Sequence, residues 1–296
     1  MTAPDTEPDK SWQPLPDGAG TALAVSGAIV AAADLGWLRV WRDGVRVAEV
    51  AAHTPTPGRP QIVGDGVRWG PTVVHLGGAR GQLRVDNYPE IGPPEGYAAT
   101  AYGWSPDGAV LVGAAHRLSP TGSEPTSLVW FCDIGTGERT VVWSGADIPP
   151  TTVDVGDVVV IGHRRPTVHD HSGRLLATLP EGIAPLRVEV TAGPAVLVYV
   201  VEATRLLVGT ANGEIVGVRD GLFVDGAWAP GDPPTVLAVD FAGQLIEYAA
   251  AAGLPEVRSW AAPDRIQTVA ADENQVVAAF AFPPGLRIRR RISSTA

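Results

Sequence analysis

Trp104-Ser-Pro-Asp-Gly-Ala-Val-Leu-Val-Gly113, continued by Val129-Trp-Phe-Cys-Asp-Ile-Gly-Thr-Gly-Glu-Arg-Thr-Val-Val-Trp143, is the stretch on which the fold turns. A Ser-Pro-Asp-Gly turn leads into a short apolar run rich in β-branched residues, as a strand buried on both faces requires. A second pair of runs then flanks Asp133…Thr136-Gly137, which reads as a hairpin. The unit is therefore a turn, an apolar strand, a loop and an outer hairpin, all preceded by one inner strand.

The apolar run recurs seven times: AIVAA at Ala28, TVVHL at Thr72, AVLVG at Ala109, DVVVI at Asp157, AVLVY at Ala195, TVLAV at Thr235 and QVVAA at Gln275. Measured at the second residue of each, the spacings are 44, 37, 48, 38, 40 and 40 residues, a mean of about 41. Four-stranded propeller blades repeat at roughly 40–45 residues. Trp69-Gly-Pro71, Trp104-Ser-Pro106 and Trp228-Ala-Pro230 each lead into a turn before their run, and Ser26-Gly27, Gly156-Asp157, Gly193-Pro194 and Asp272-Glu273-Asn274 precede the other four. After the runs come hairpins beginning at Leu38, Val129, Thr167 and Leu206, in which Asp43-Gly44 and Asn212-Gly213 offer the positive φ of tight turns. The second unit fits least well, since only EIGPPEG follows GQLRVDNYPE where a fourth strand is expected. The best helical candidate, near Ala249, is interrupted by Gly253 and Pro255. The fold expected is all-β: a seven-bladed β-propeller of four-stranded antiparallel blades.

Over roughly residues 21–292 the chain resembles the bacterial WD-repeat-like propellers. The resemblance is carried by Trp104-Ser105-Pro106-Asp107-Gly108 before a strand, Val129-Trp130…Asp133…Thr136-Gly137 across a hairpin, and Val168-His169-Asp170…Ser172-Gly173-Arg174-Leu175-Leu176 in the same form. The chain departs from that pattern in two ways. The Gly-His pair that opens standard WD repeats is not periodic, and Trp-Asp does not occur as a dipeptide. The resemblance is to the propeller class rather than to a subfamily, and it implies a scaffold for protein partners.

The 296 residues carry 35 Gly and 27 Pro, about a fifth of the chain, with 45% hydrophobic residues, enough for a packed core. A formal charge of −10 disfavours a general nucleic-acid binder, which needs a broad basic surface to displace counterions. Lysine occurs once, at Lys10, which removes phosphate loops of the GxxxxGK type, protein-kinase chemistry and Schiff-base lysines. HExxH and GxSxG are both missing from the sequence. Cys132 is the single cysteine, so no intrachain disulfide forms, and its position beside Trp130 on a strand suits a small buried apolar residue.

Three segments carry possible chemistry. His169 and His171 would share one face of a strand, but a zinc site needs a third protein ligand, and Asp170-His171-Ser172-Gly173 reads equally as a turn. A lactonase-like channel metal needs oxygen ligands drawn from several blades, yet of Asn87, Asn212 and Asn274 the last two fall in hairpin turns. Leu286-Arg287-Ile288-Arg289 alternates as a strand with one wet face would.

Residues 1–10 are expected to form a disordered tail and residues 11–296 a single propeller, with Ser11–Leu15 pairing onto the last blade and removing an exposed edge. The expected function is a non-enzymatic interaction scaffold or assembly subunit. The alternative is a metal-dependent small-molecule or sugar-lactone hydrolase with its site in the channel. No cofactor is expected. The N-terminus lacks the basic start and apolar run of a secretory signal, so a cytoplasmic location is expected. Partner binding is assigned to Arg80, Arg117, Arg164, Arg165 and Arg205, all expected in loops joining second to third strands and hence on one face. A protein partner presenting an acidic segment or phosphate group fits such a face, because guanidinium forks bind these groups in bidentate fashion; neither a membrane nor a nucleic acid is expected.

Overall fold

The computed structural model describes residues 11–34, 36–52, 56–77, 83–117, 126–145, 149–183, 185–191, 197–231, 233–260, 262–281 and 284–291. The strands fall into seven sheets of four. β1 (Gln13–Pro14) comes first in the chain but belongs to the last sheet. Blade one is β2 (Ala22–Ser26), β3 (Ile29–Ala33), β4 (Trp37–Arg42) and β5 (Val45–Ala51); blade two is β6 (Gln61–Val63), β7 (Gly66–Trp69), β8 (Thr72–His75) and β9 (Arg84–Asn87). Blade three is β10 (Tyr97–Trp104), β11 (Val110–Arg117), β12 (Ser127–Asp133) and β13 (Arg139–Gly145). Blade four is β14 (Thr152–Val155), β15 (Val159–Gly162), β16 (Thr167–His169) and β17 (Leu175–Thr178). Blade five is β18 (Arg187–Val190), β19 (Leu197–Val201), β20 (Arg205–Thr210) and β21 (Ile215–Asp220). Blade six is β22 (Phe223–Ala229), β23 (Thr235–Asp240), β24 (Leu245–Ala249) and β25 (Glu256–Trp260), and blade seven is β26 (Ile266–Ala271), β27 (Gln275–Ala281) and β28 (Pro284–Arg290), completed by β1. All pairings are antiparallel meanders, so the chain is the expected all-β seven-bladed propeller.

Each blade buries one face of its second and third strands against the next, giving seven separate apolar clusters, one at each blade interface. Trp41, Trp69, Trp104 and Trp130 are fully buried in these clusters, each supplying the large apolar area that a thin inter-blade core needs. In blades one, three, four, five and six the pairing of third and fourth strands shifts register by one residue, a bulge that adds local twist to the outer edge. Asp43 (φ 51°) and Gly44 (φ 76°) both adopt the left-handed conformation expected of them; at Asn212-Gly213 only the glycine does.

Blade two corrects the sequence reading. Its run Thr72–His75 is the third strand, and its second strand is β7, where Arg68 interrupts the apolar signal. The fourth strand is β9, not the EIGPPEG segment. Trp69 therefore ends a second strand, whereas Trp104 and Trp228 lie at the ends of first strands.

In the seventh blade Gln13 pairs with Ile288 and Pro14 with Arg287, and the Leu15 amide donates to the Leu286 carbonyl at 2.8 Å. The two-residue ladder is flanked by buried apolar anchors. Trp12 packs edge-on against Phe280 with centroids 5.4 Å apart, and Leu15 joins the cluster between blades seven and one. Among the described residues no helix is long and apolar enough to cross a membrane.

Candidate functional site

The turns joining second to third strands and the connections between blades emerge together on one face, where they hydrogen-bond to each other. The Leu179 amide donates to Pro166, Gly182 to Arg164, Phe223 to Ala203, Phe241 to Leu222 and Ile266 to Gly243. This loop rim holds Arg164 and Arg165 between β15 and β16, Arg205 at the start of β20, and Arg117 at the end of β11. Arg80 lies outside the described residues. The strands on either side of it are third and fourth in their blade, and the Leu76 amide just after β8 donates to Asp65 in the first–second turn, so its assignment to the rim loses its basis.

The rim arginines are not equivalent. Arg164 Nε and a terminal nitrogen of Arg165 both lie 2.8 Å from Glu181, one from each carboxylate oxygen. The hydrogen bond from Arg165 and the charges of both guanidiniums hold the Glu181 carboxyl below its ordinary value. Their side chains are still 64% and 61% exposed, so one carboxylate answers two accessible cations. Arg205 instead chelates the buried Glu202 at 2.7 and 3.0 Å and donates to Pro180 O at 3.1 Å. A side chain at Gly182 would meet the ends of that pair and displace it, so the glycine lets the two loops cross with the ion pair in place. Arg117 lies over the Tyr97 ring at 5.7 Å. The structure thus brings Arg164, Arg165 and Arg205 to neighbouring loops, and commits Arg205 to an internal ion pair.

A second charged assembly, not foreseen from the sequence, lines the central channel, which encloses about 1280 Å³. Arg59, on the way into blade two, reaches Asp225 of blade six at 2.5 Å, Thr268 Oγ1 of blade seven at 3.1 Å, the Val269 carbonyl at 2.9 Å and the Leu23 carbonyl of blade one at 3.3 Å. Arg187 of blade five adds bonds to Asp225 at 3.4 Å and Val269 O at 2.8 Å, and pairs with Glu189. Asp225 also accepts from Thr268 Oγ1 at 2.6 Å and the Val269 amide at 2.9 Å. Burial pushes the Asp225 carboxyl up, but Arg59, Arg187 and these donors outweigh it and hold the group below its ordinary value. Burial lowers Arg187 to about 10, against the support of Asp225 and Asp154.

The first strands carry a related device. An acceptor on one inner strand takes a backbone N–H of the next: Gln61 from Trp104, Asp154 from Val190 at 2.8 Å, Glu189 from Trp228 at 3.0 Å and Asp225 from Val269. Inner strands face a void rather than a neighbouring strand, and these side chains satisfy amides that would otherwise lack a partner. Asp154 bears the cost, since burial drives its carboxyl above the ordinary value despite the Val190 and Val155 amides. The polar alternation Arg187-Val-Glu189 and Thr152-Val-Asp154 was the available signal, because charged residues on a first strand have only the channel to face.

His169 and His171 do not converge. β16 ends at His169, whose ring nitrogens contact Gly173 O and Thr167 Oγ1, while His171 sits in the turn and contacts Gly156 O at 2.8 Å. Among the described residues no three His, Cys, Asp or Glu side chains could hold one metal ion, so the channel-hydrolase alternative has no ligand set there. Cys132 is fully buried, and burial raises its thiol. Arg287 and Arg289 of β28 do more than face water: Arg287 stacks on Phe280 at 4.9 Å, and Arg289 lies between Trp12 and Trp260 at 5.8 and 5.6 Å.

The closed ring of four-stranded meanders defines a seven-bladed β-propeller. Solved structures agree. The chain is similar to a structure described as "Structure of U3-55K", with a TM-score of 0.72 at 9% identity, covering 96% of this chain and 100% of that one. It is equally similar to the "Crystal structure of RRP9 WD40 repeats", with a TM-score of 0.72 at 10% identity, covering 96% and 98%. No protein-family model matches the chain, and no curated protein matches it. At such identities the likeness is one of fold.

Proposed function

We propose that the protein is a non-enzymatic interaction scaffold, working in the cytoplasm, whose partner-binding face is the loop rim bearing Arg164 and Arg165. One observation carries this reading: two exposed guanidiniums share a single carboxylate on the rim, whereas the charged groups lining the channel are spent on each other. An acidic segment of a partner protein would complete the pairing, with bidentate geometry available to each arginine. Arg117 and Arg205 belong to the same face in this proposal, Arg205 as a support for the loops rather than a free cation. The WD-repeat-like fold supports partner binding by analogy only, since function resides in the site rather than the architecture.

Affinity capture from the source organism followed by size exclusion tests the proposal. A defined protein should co-elute with the propeller and be lost from the Arg164→Glu/Arg165→Glu variant, whose melting curve should match that of the parent because both residues are exposed. A propeller that runs alone, or a complex indifferent to the double reversal, refutes it.

A further inference from the structure

Beside the arginine pair the rim carries exposed apolar side chains. Ile183 and Leu186 in the connection from blade four to blade five are 52% and 48% exposed, Leu222 in the next connection 60%, and Phe241 62%. They follow one another along the hydrogen-bonded loops. Gly182, next to Ile183, is bonded to Arg164; Gly221, next to Leu222, is bonded to Thr204; and the Phe241 amide is bonded to Leu222.

The turn geometry does not ask for a phenyl ring at 241. Asp240 accepts from the Gly243 amide at 2.9 Å and through its side chain from the Gln244 amide at 2.8 Å. The same arrangement at Asp170–Arg174 places His171 at the matching position, and at Thr210–Glu214 it places Ala211. Phe241 gains little by burial, and an exposed aromatic next to exposed leucine is a solubility cost unless something covers it. Between blades five and six lies a hollow of about 390 Å³ whose apolar wall is formed by Leu222, Phe241 and Tyr248 and which Arg219, Asp220 and Asp240 also line, large enough for a bulky side chain. Arg265 lies over the Phe241 ring at 5.2 Å and holds it at the rim of the hollow.

We propose that the rim from Arg164 to Phe241 docks an extended acidic–apolar segment of a partner protein, with carboxylates on Arg164 and Arg165 and a bulky apolar side chain in the Leu222–Phe241 hollow. This rests on the scaffold reading above and names what the partner must carry. Charge selects the occupant. Two arginines with one carboxylate between them leave the blade-four end of the rim short of negative charge, and the apolar end follows directly along the same loops. A second copy of this chain fits less well, because a two-fold interface would set the arginine-bearing rim against itself.

Selection of a random displayed peptide library on the full-length protein tests the proposal. Enriched peptides should combine Asp or Glu with Leu, Phe or Trp at a fixed spacing. Their affinity should fall at least tenfold with Phe241→Asp and with Leu222→Asp, and comparably with Arg164→Glu/Arg165→Glu. Val141→Asp, on the exposed outer strand β13, should leave it unchanged. Peptides that depend on the arginines but ignore Leu222 and Phe241 overturn this inference and leave the scaffold reading standing. Failure to enrich, or peptides indifferent to both sets, overturns both. A concentration-dependent dimer in sedimentation velocity that Phe241→Asp abolishes would assign the apolar surface to self-association and overturn the proposal.

Discussion

Removing the carboxylate of Asp225 should be among the most damaging single changes in the molecule. Asp225 is the shared acceptor of Arg59, Arg187, the Thr268 hydroxyl and the Val269 amide, and its side chain is 8% exposed. In Asp225→Ala, Arg59 keeps the carbonyls of Leu23 and Val269, and Arg187 keeps Val269 O and Glu189. Two guanidiniums then face a channel with one fewer counter-charge. Breaking a buried ion pair from one side costs about 3–5 kcal/mol, mostly the penalty of the stranded partner. For a chain of this size that corresponds to a fall in Tm on the order of 10 °C. Urea unfolding of parent, Asp225→Ala and Asp225→Asn should show a lower midpoint at unchanged m-value. Acidification supplies a second reading. The folded pKa of Asp225 lies below its unfolded value, so its contribution is complete above the ordinary carboxylate pKa of about 3.9 and is lost as pH falls through the folded value. The gap between parent and variant should therefore close in acid. If Asp225→Ala lies within about 1 kcal/mol of the parent at neutral pH, the channel cluster has no structural role and the reasoning fails.

Three further outcomes are expected. Deleting residues 1–17 should lower the melting temperature sharply, and Trp12→Ala alone should cost about 3 kcal/mol through the lost contacts with Phe280 and Arg289; a truncated chain that melts like the parent would show that β1 is dispensable. Gly108→Ala should destabilise the first turn of blade three by more than about 1 kcal/mol, because Gly108 sits at φ 74° and the Arg68 guanidinium occupies the place of a Cβ, with chemical denaturation as the check. Asp154 has the opposite linkage to Asp225: its folded pKa is raised, so the folded state binds the extra proton, and stability falls as pH rises from the unfolded value through the folded one. Urea midpoints across that interval should decline in the parent and flatten in Asp154→Asn; parallel slopes would refute the assignment.

Much of this fold is local and could be read one unit at a time. The runs at Ile29, Val110 and Val236 are apolar because second strands are buried on both faces, and Asp43-Gly44 turns the chain through its own φ preferences. Blade two escaped because Arg68 sits within its second strand, where its guanidinium lies over the Trp104 ring of the next blade; a residue held by a neighbouring unit hides the burial pattern of its own. The rim arginines could be assigned to loops, but the partner of Arg164 and Arg165 could not: Glu181 faces them only once the adjacent connection is folded against their turn, whereas Glu202 lies three residues from Arg205 within one turn. The channel cluster was further from reach, since Arg59 and Asp225 are separated by 166 positions. Burial is a property that each strand states in its own residues, and so the period and the turns determined the propeller. Which charges meet across the channel depends on closing seven blades into a ring that sets blade two and blade six at the same height, and only the tertiary structure decides that.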